Sequence, residues 1–213
     1  MTSHRNGVCK VDVCEYFKSS VPEQFLAAIS ATLPLAYASA RTAVDAQELG
    51  EDETYNLMPW TRREHVETRF RDAAITCGLQ VHTEKTGFWR HVVVTCGAFK
   101  ITQCTTIDEE TPPRPAGYKC RYAAEQLLLP GFEATAEVEF DAPHYYAVII
   151  HRGKVLATEP SFMAVRFPTP NLRGFHPGMV DLSFYTQTQG AAVEEIQTTV
   201  TPKLKVRRAV GNG

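Results

Sequence analysis

The sequence is short of the features that usually announce a function. Charge of neither sign dominates: 22 basic and 24 acidic side chains leave a formal net charge of −2 over 213 residues. That excludes the whole-chain basic field typical of nucleic-acid binders and leaves only local patches to consider. Long hydrophobic runs are missing too. The longest, "FLAAISATLPLAYASA" (25–40), carries Pro34 and several hydroxyls, whereas a membrane span needs about 20 predominantly apolar residues. The opening "MTSHRNGVCK" holds no apolar segment of the secretory kind, so the expectation is a soluble, cytoplasmic chain with no membrane partner.

Chemical fingerprints are equally sparse. GxSxG, GxxxxGK[ST], GxGxxG and HExxH do not occur, and "REHVE" (63–67) offers a single histidine. The reasoning behind hydrolase, P-loop, dinucleotide and zincin sites therefore has nothing to stand on. Cys9 and Cys14 have four residues between them, but no second CxxC or HxxxH pair follows to complete a tetrahedral zinc site. The six cysteines are expected to be reduced and mostly buried. No internal repeat is present.

What is there reads as an α+β domain: N-terminal helices packed on a mainly antiparallel mixed sheet, compatible with an αβββαβ core. Residues 1–58 form an N-terminal arm and helical segment, 59–186 the core, and 187–213 a polar and basic tail. Val11 and Val13 alternate with Asp12 and Cys14, which suits a short strand or an irregular arm. Ser20, Pro22 and Glu23 mark a helix start, and Pro34 divides that helix into 22–32 and 35–48. "GEDETYNLMP" reads as an acidic loop. Pro59 then opens a helix that ends at Gly78, with Val66, Phe70, Ala73, Ala74 and Cys77 on its apolar stripe. Three strands follow near 79–84, 89–95 and 98–104, then a proline-rich loop and a helix from Gly117. "ATAEVEF", "HYYAVIIHRG", "KVLATEP", "SFMAVRFP" and "VDLSFYT" read as further strands. The expected core is Phe25, Ile29, Val66, Phe70, Val92, Val94, Phe99, Ile101, Leu127, Val148, Ile150, Phe162 and Val165.

The stretch "TEKTGFWRHVVVTCGAFKITQC" (83–104) carries the main functional candidates. Two-residue turns at Thr86-Gly87 and Cys96-Gly97 would set His82 opposite His91 and His91 opposite Thr102. Val92, Val94, Phe99 and Ile101 then share an apolar face. The other face gathers His82, Glu84, Trp89, His91, Lys100 and Thr102. A carboxylate, imidazoles and a lysine on one surface shift one another's pKa values and suit a metal or an anion.

The element order over about 59–151 resembles the core of the metal-dependent, restriction-endonuclease-like nucleases. In that family an acid on the second strand and an acid-x-lysine triplet on the third hold a divalent metal, Mg or Mn. Lys100 matches the lysine, Ala98 stands where the triplet needs an acid, and His91 stands where an aspartate is expected. Glu64 or Glu67 matches the family's helix acid, and Glu84 is the carboxylate on these strands. The resemblance thus implies a degenerate site with Glu84, His91 and Lys100 in the catalytic positions. The leading expectation is a binding or regulatory protein with a protein or nucleic-acid partner. Arg62, Arg63, Lys119 and Arg121, with His82 and Thr102, are the candidate contacts.

Overall fold

The structure, a computed structural model, describes residues 12–126 and 144–187. Three helices precede the sheet: α1 (Val13–Ser20), α2 (Glu23–Asp45) and α3 (Glu51–Thr76). Strands β1 (Gln80–Thr86), β2 (Trp89–Cys96) and β3 (Phe99–Thr105) follow, then α4 (Gly117–Glu125), β4 (Tyr145–Arg152), β5 (Phe162–Arg166), β6 (Val180–Asp181) and α5 (Ser183–Gln187). The six strands form one sheet in sequence order, antiparallel at every junction except the parallel β3–β4 pair. This is an α+β arrangement with a mixed sheet. Among the described residues no helix is long and apolar enough to cross a membrane.

Several local expectations give way to tertiary packing. Residues 13–20 are helical rather than extended, because the Asp12 carboxylate caps α1 by accepting from the Cys14 amide at 2.8 Å. Pro34 lies inside an unbroken α2. An interior proline costs about 3 kcal/mol, yet Ile29 and Leu33 before it and Ala36, Tyr37 and Ala40 after it all bury on the same face. That shared burial holds the helix together across the missing amide. The acidic stretch is the first part of α3, capped by Gly50, with Glu51, Asp52 and Glu53 in its first turn where the helix dipole favours them. Pro59 is internal, and α3 runs straight through the helix start expected there. "KVLATEP" forms no strand, and β6 is two residues long before the chain turns into α5. The strand expected at 134–140, Leu127 and the tail beyond 187 lie outside the described residues.

The centre of the sheet is buried on both faces. One side packs under α1–α3, where Phe25, Ile29, Val66, Phe70, Val92, Val94, Phe99, Ile101 and Val165 join one apolar cluster. Phe99 sits within 5.0–6.4 Å of the rings of Tyr16, Phe17, Tyr145 and Phe167. The other side packs under α4, where Val93, Tyr118, Tyr122, Tyr146, Val148 and Ile150 form a second cluster. Phe162, expected in the core, is half-buried at the edge of that cluster.

Both hairpins turn one residue later than expected. The turns are Gly87-Phe88 and Gly97-Ala98, with φ of 60° at Gly87 and 54° at Gly97. Glycine takes the first turn position because that position needs positive φ. The pairing slips by two residues, so Glu84 rather than His82 lies opposite His91, and His82 lies opposite Val93. A two-residue slip preserves the faces, so the set of side chains sharing each face is unchanged. Because the strain of positive φ falls on Gly87, Gly87→Ala should cost about 1 kcal/mol. Phe88→Ala, at a fully exposed position, should stay within about 0.5 kcal/mol of wild type in urea unfolding. Equal costs at 87 and 88 would contradict this turn geometry.

Candidate functional site

The polar residues of the sheet's α4 side divide into two groups. The first gathers around Tyr122. Its hydroxyl donates to Glu84 and lies 3.0 Å from His82 Nε2, while Arg121 donates to Glu84 Oε1 at 2.6 Å. Lys100 Nζ lies 4.4 Å from the centre of the Tyr122 ring. Burial pushes the Tyr122 hydroxyl well above its ordinary range, and burial lowers His82, so both are neutral around pH 7. Thr102 stands apart, bonded to the Tyr146 hydroxyl at 2.9 Å. These residues satisfy one another and form a packed polar cluster.

The second group occupies a fork in the sheet. β2 and β3 pair only from Val94 to Cys96 and from Phe99 to Ile101. Beyond that β3 stays with β4 as far as Thr105, and β2 leaves it. Into the gap α3 inserts Glu67, whose Oε2 accepts from the Val92 amide at 2.9 Å. The carboxylate supplies the acceptor that a paired strand would have given. Its other oxygen lies 3.6 Å from His91 Nδ1 and 4.0 Å from Arg63 Nη2. Glu84 and His91, though opposite each other, turn apart: Glu84 to Arg121 and Tyr122, His91 to Glu67 and the Tyr118 ring 4.7 Å away.

A cavity of about 520 Å³ opens at this fork, between α3, the separated strand ends, the 106–114 loop and the start of α4. Its wall includes Arg62, Arg63, Arg114 and Lys119 and, among the described residues, no aspartate or glutamate. Lys119 is buried, and its Nζ donates to Cys104 Sγ at 3.3 Å. Arg114 is exposed and makes no hydrogen bond or ion pair among the described residues. Arg63 is held by Glu64, by the carbonyl of Arg90 and by the Trp89 ring. Trp89 in turn stacks on Trp60 at 4.8 Å and 9°. Arg62 Nε and Thr106 Oγ1, both from wall residues, are buried without a hydrogen-bond partner among the described residues.

Arg62 is not the surface contact expected from its place in an arginine-rich helix. It lies buried over the Tyr37 ring at 4.1 Å. Its Nη2 donates to the carbonyls of Lys154, Val155 and Ala157. Those three bonds tie down the segment expected as a strand. Behind Arg62 lies His151. Gln103 Oε1 can only accept, so His151 Nε2 donates to it (3.0 Å) and Nδ1 accepts from the Tyr37 hydroxyl (2.8 Å). Burial, with the Arg62 charge adding to it, pushes His151 down to about 3.

Divalent magnesium or manganese asks for several oxygen ligands, and the residues implied by the nuclease resemblance do not supply them. Ala98 has no donor, Glu84 is engaged by Arg121 and Tyr122, and Lys100 lies over Tyr122. Among the described residues no three histidine, cysteine, aspartate or glutamate side chains stand together for a metal.

No family model, curated protein or solved structure matches the chain.

Of the residues singled out from sequence, the structure brings Arg62, Arg63, His91 and Lys119 to one cavity, and His82, Glu84, Lys100 and Arg121 to another cluster. Sequence reasoning missed Trp60, Gln103, Thr106 and Arg114. No pattern marks them, because they meet only where two strands part. The buried imidazole generates a pH prediction. The unfolded chain takes up a proton near pH 6.5 and the folded one only near 3, so this contribution is complete above 6.5 and is lost as pH falls. The stability difference between wild type and His151→Gln should shrink by about 1.4 kcal/mol per pH unit between pH 6 and 4.5. A difference that does not change with pH would contradict a buried neutral His151.

Proposed function

We propose that the chain is a binding or regulatory protein whose fork cavity takes a phosphate-bearing small molecule. One observation carries the reading: Arg62, Arg63, Arg114 and Lys119 line a single cavity with no carboxylate in its wall among the described residues. Glu67, the buried carboxylate at the fork, already accepts from the Val92 amide and faces His91 and Arg63, and Glu64 is bonded to Arg63. Arg114 and Lys119 are left without an acidic partner among the described residues. Lys119 is buried as well, and a buried cation without a counter-charge is costly to maintain. An anion in the cavity offsets that cost. Thr105, Thr106 and Thr111 add hydroxyls around it, and guanidinium groups match phosphate oxygens in geometry. The volume falls in the range of small-molecule sites.

Catalysis is not part of this reading, which rests on the cations of the wall alone. Titration with inorganic phosphate by calorimetry should show binding that weakens as sodium chloride rises from 50 to 500 mM, roughly as expected for a screened charge interaction. Lys119→Gln should weaken it about tenfold or more, and Arg114→Gln several-fold. Binding with no response to salt or to either substitution would contradict the assignment.

A further inference from the structure

Beside the cations the cavity carries an aromatic platform. Trp60 lines the wall, and Trp89 does not. The two indoles lie almost parallel, with centroids 4.8 Å apart and planes 9° apart. Trp89 therefore covers one face of Trp60, and Arg63 sits over Trp89 at 4.5 Å, so the stack is braced from behind. Trp60 remains 53% exposed. A large aromatic side chain held rigid by a second one, with its remaining surface at the mouth of a cavity, is a stacking surface for a flat ring. An ordinary surface tryptophan leaves two features unexplained: the coplanar brace, and the position in one wall with Arg114 and Lys119, which have no acidic partner among the described residues. Pro59 and Ile107 supply apolar wall alongside Trp60.

We propose that the ligand of the fork cavity is a nucleoside monophosphate, its base stacked on Trp60 and its phosphate held by Arg114 and Lys119. The inference rests on the phosphate reading above and adds the aromatic half of the ligand. A stacked base contributes binding that depends little on which base it is, because every base presents a π face. The pocket is therefore expected to favour nucleotides over sugar phosphates without strong preference among them. Polymeric nucleic acid is a different partner, and a single-stranded oligonucleotide binding more tightly than the mononucleotide would overturn the proposal.

Trp60 and Trp89 are the only tryptophans of the sequence, so tryptophan emission reports on this stack alone. The experiment titrates the full chain with inorganic phosphate, ribose 5-phosphate, adenosine and adenosine monophosphate, following emission and heat together. Adenosine monophosphate should bind about tenfold more tightly than ribose 5-phosphate and quench emission. Trp60→Leu, at an exposed position, should narrow that gap to about twofold or less while the protein still melts in one cooperative transition. Equal affinity for the nucleotide and the sugar phosphate, with emission unaltered, would overturn the nucleotide inference while leaving the phosphate reading standing. Adenosine binding as tightly as its monophosphate, with inorganic phosphate silent, would overturn the phosphate reading instead. Absence of binding by all four compounds would overturn both.

Discussion

A single carboxylate stands where a neighbouring strand would otherwise be. Glu67, buried on α3, accepts the Val92 amide that β3 leaves unpaired. Without it, β2 would either continue along β3 and close the sheet or expose an unsatisfied amide in a buried place, which costs about 1–3 kcal/mol. The helix thereby holds two strands apart, and the cavity is the space that results. His91 and Arg63 gather around the same carboxylate. This answers its charge, and among the described residues Arg114 and Lys119 of the wall have no acidic partner.

The same economy explains why the polar face of the central hairpins is not one site. The sheet has a core on each side, so the face that alternation marks as polar must be covered as well. Tyr118, Tyr122 and Tyr146 do the covering, each with an apolar ring and a hydroxyl. Tyr122 serves His82 and Glu84, Tyr146 serves Thr102, and Tyr118 lies against His91. Titratable groups on that face are drawn to different tyrosines. Those at the Tyr122 end are satisfied by the protein itself, and those at the fork face an open cavity.

The sequence made much of this legible. The alternation of Val92, Val94, Phe99 and Ile101 identified a buried face that the two-residue register slip could not disturb. The apolar stripe of α3 was equally plain from Val66, Phe70, Ala73 and Ala74. Less legible was anything decided by distant contacts. Pro34 and Pro59 looked like helix boundaries because the burial that overrides them is tertiary. "KVLATEP" looked like a strand because nothing local shows that Arg62 captures its carbonyls. Arg62, Arg63, His91 and Lys119 were each visible as chemistry, but their convergence depends on where β2 leaves β3. Glu67 was visible only as one of two acids on a helix face, with no sign that it would terminate a β ladder.

The most direct test of the account is a map of amide chemical shifts in ¹⁵N-labelled protein as inorganic phosphate is added at low salt. The account predicts saturable changes concentrated at the fork, at Trp60, His91, Thr105, Thr106 and Lys119, with the Tyr122 cluster around His82 and Glu84 unmoved. Changes centred on that second cluster, or none that saturate, would contradict the assignment of the fork as the binding site.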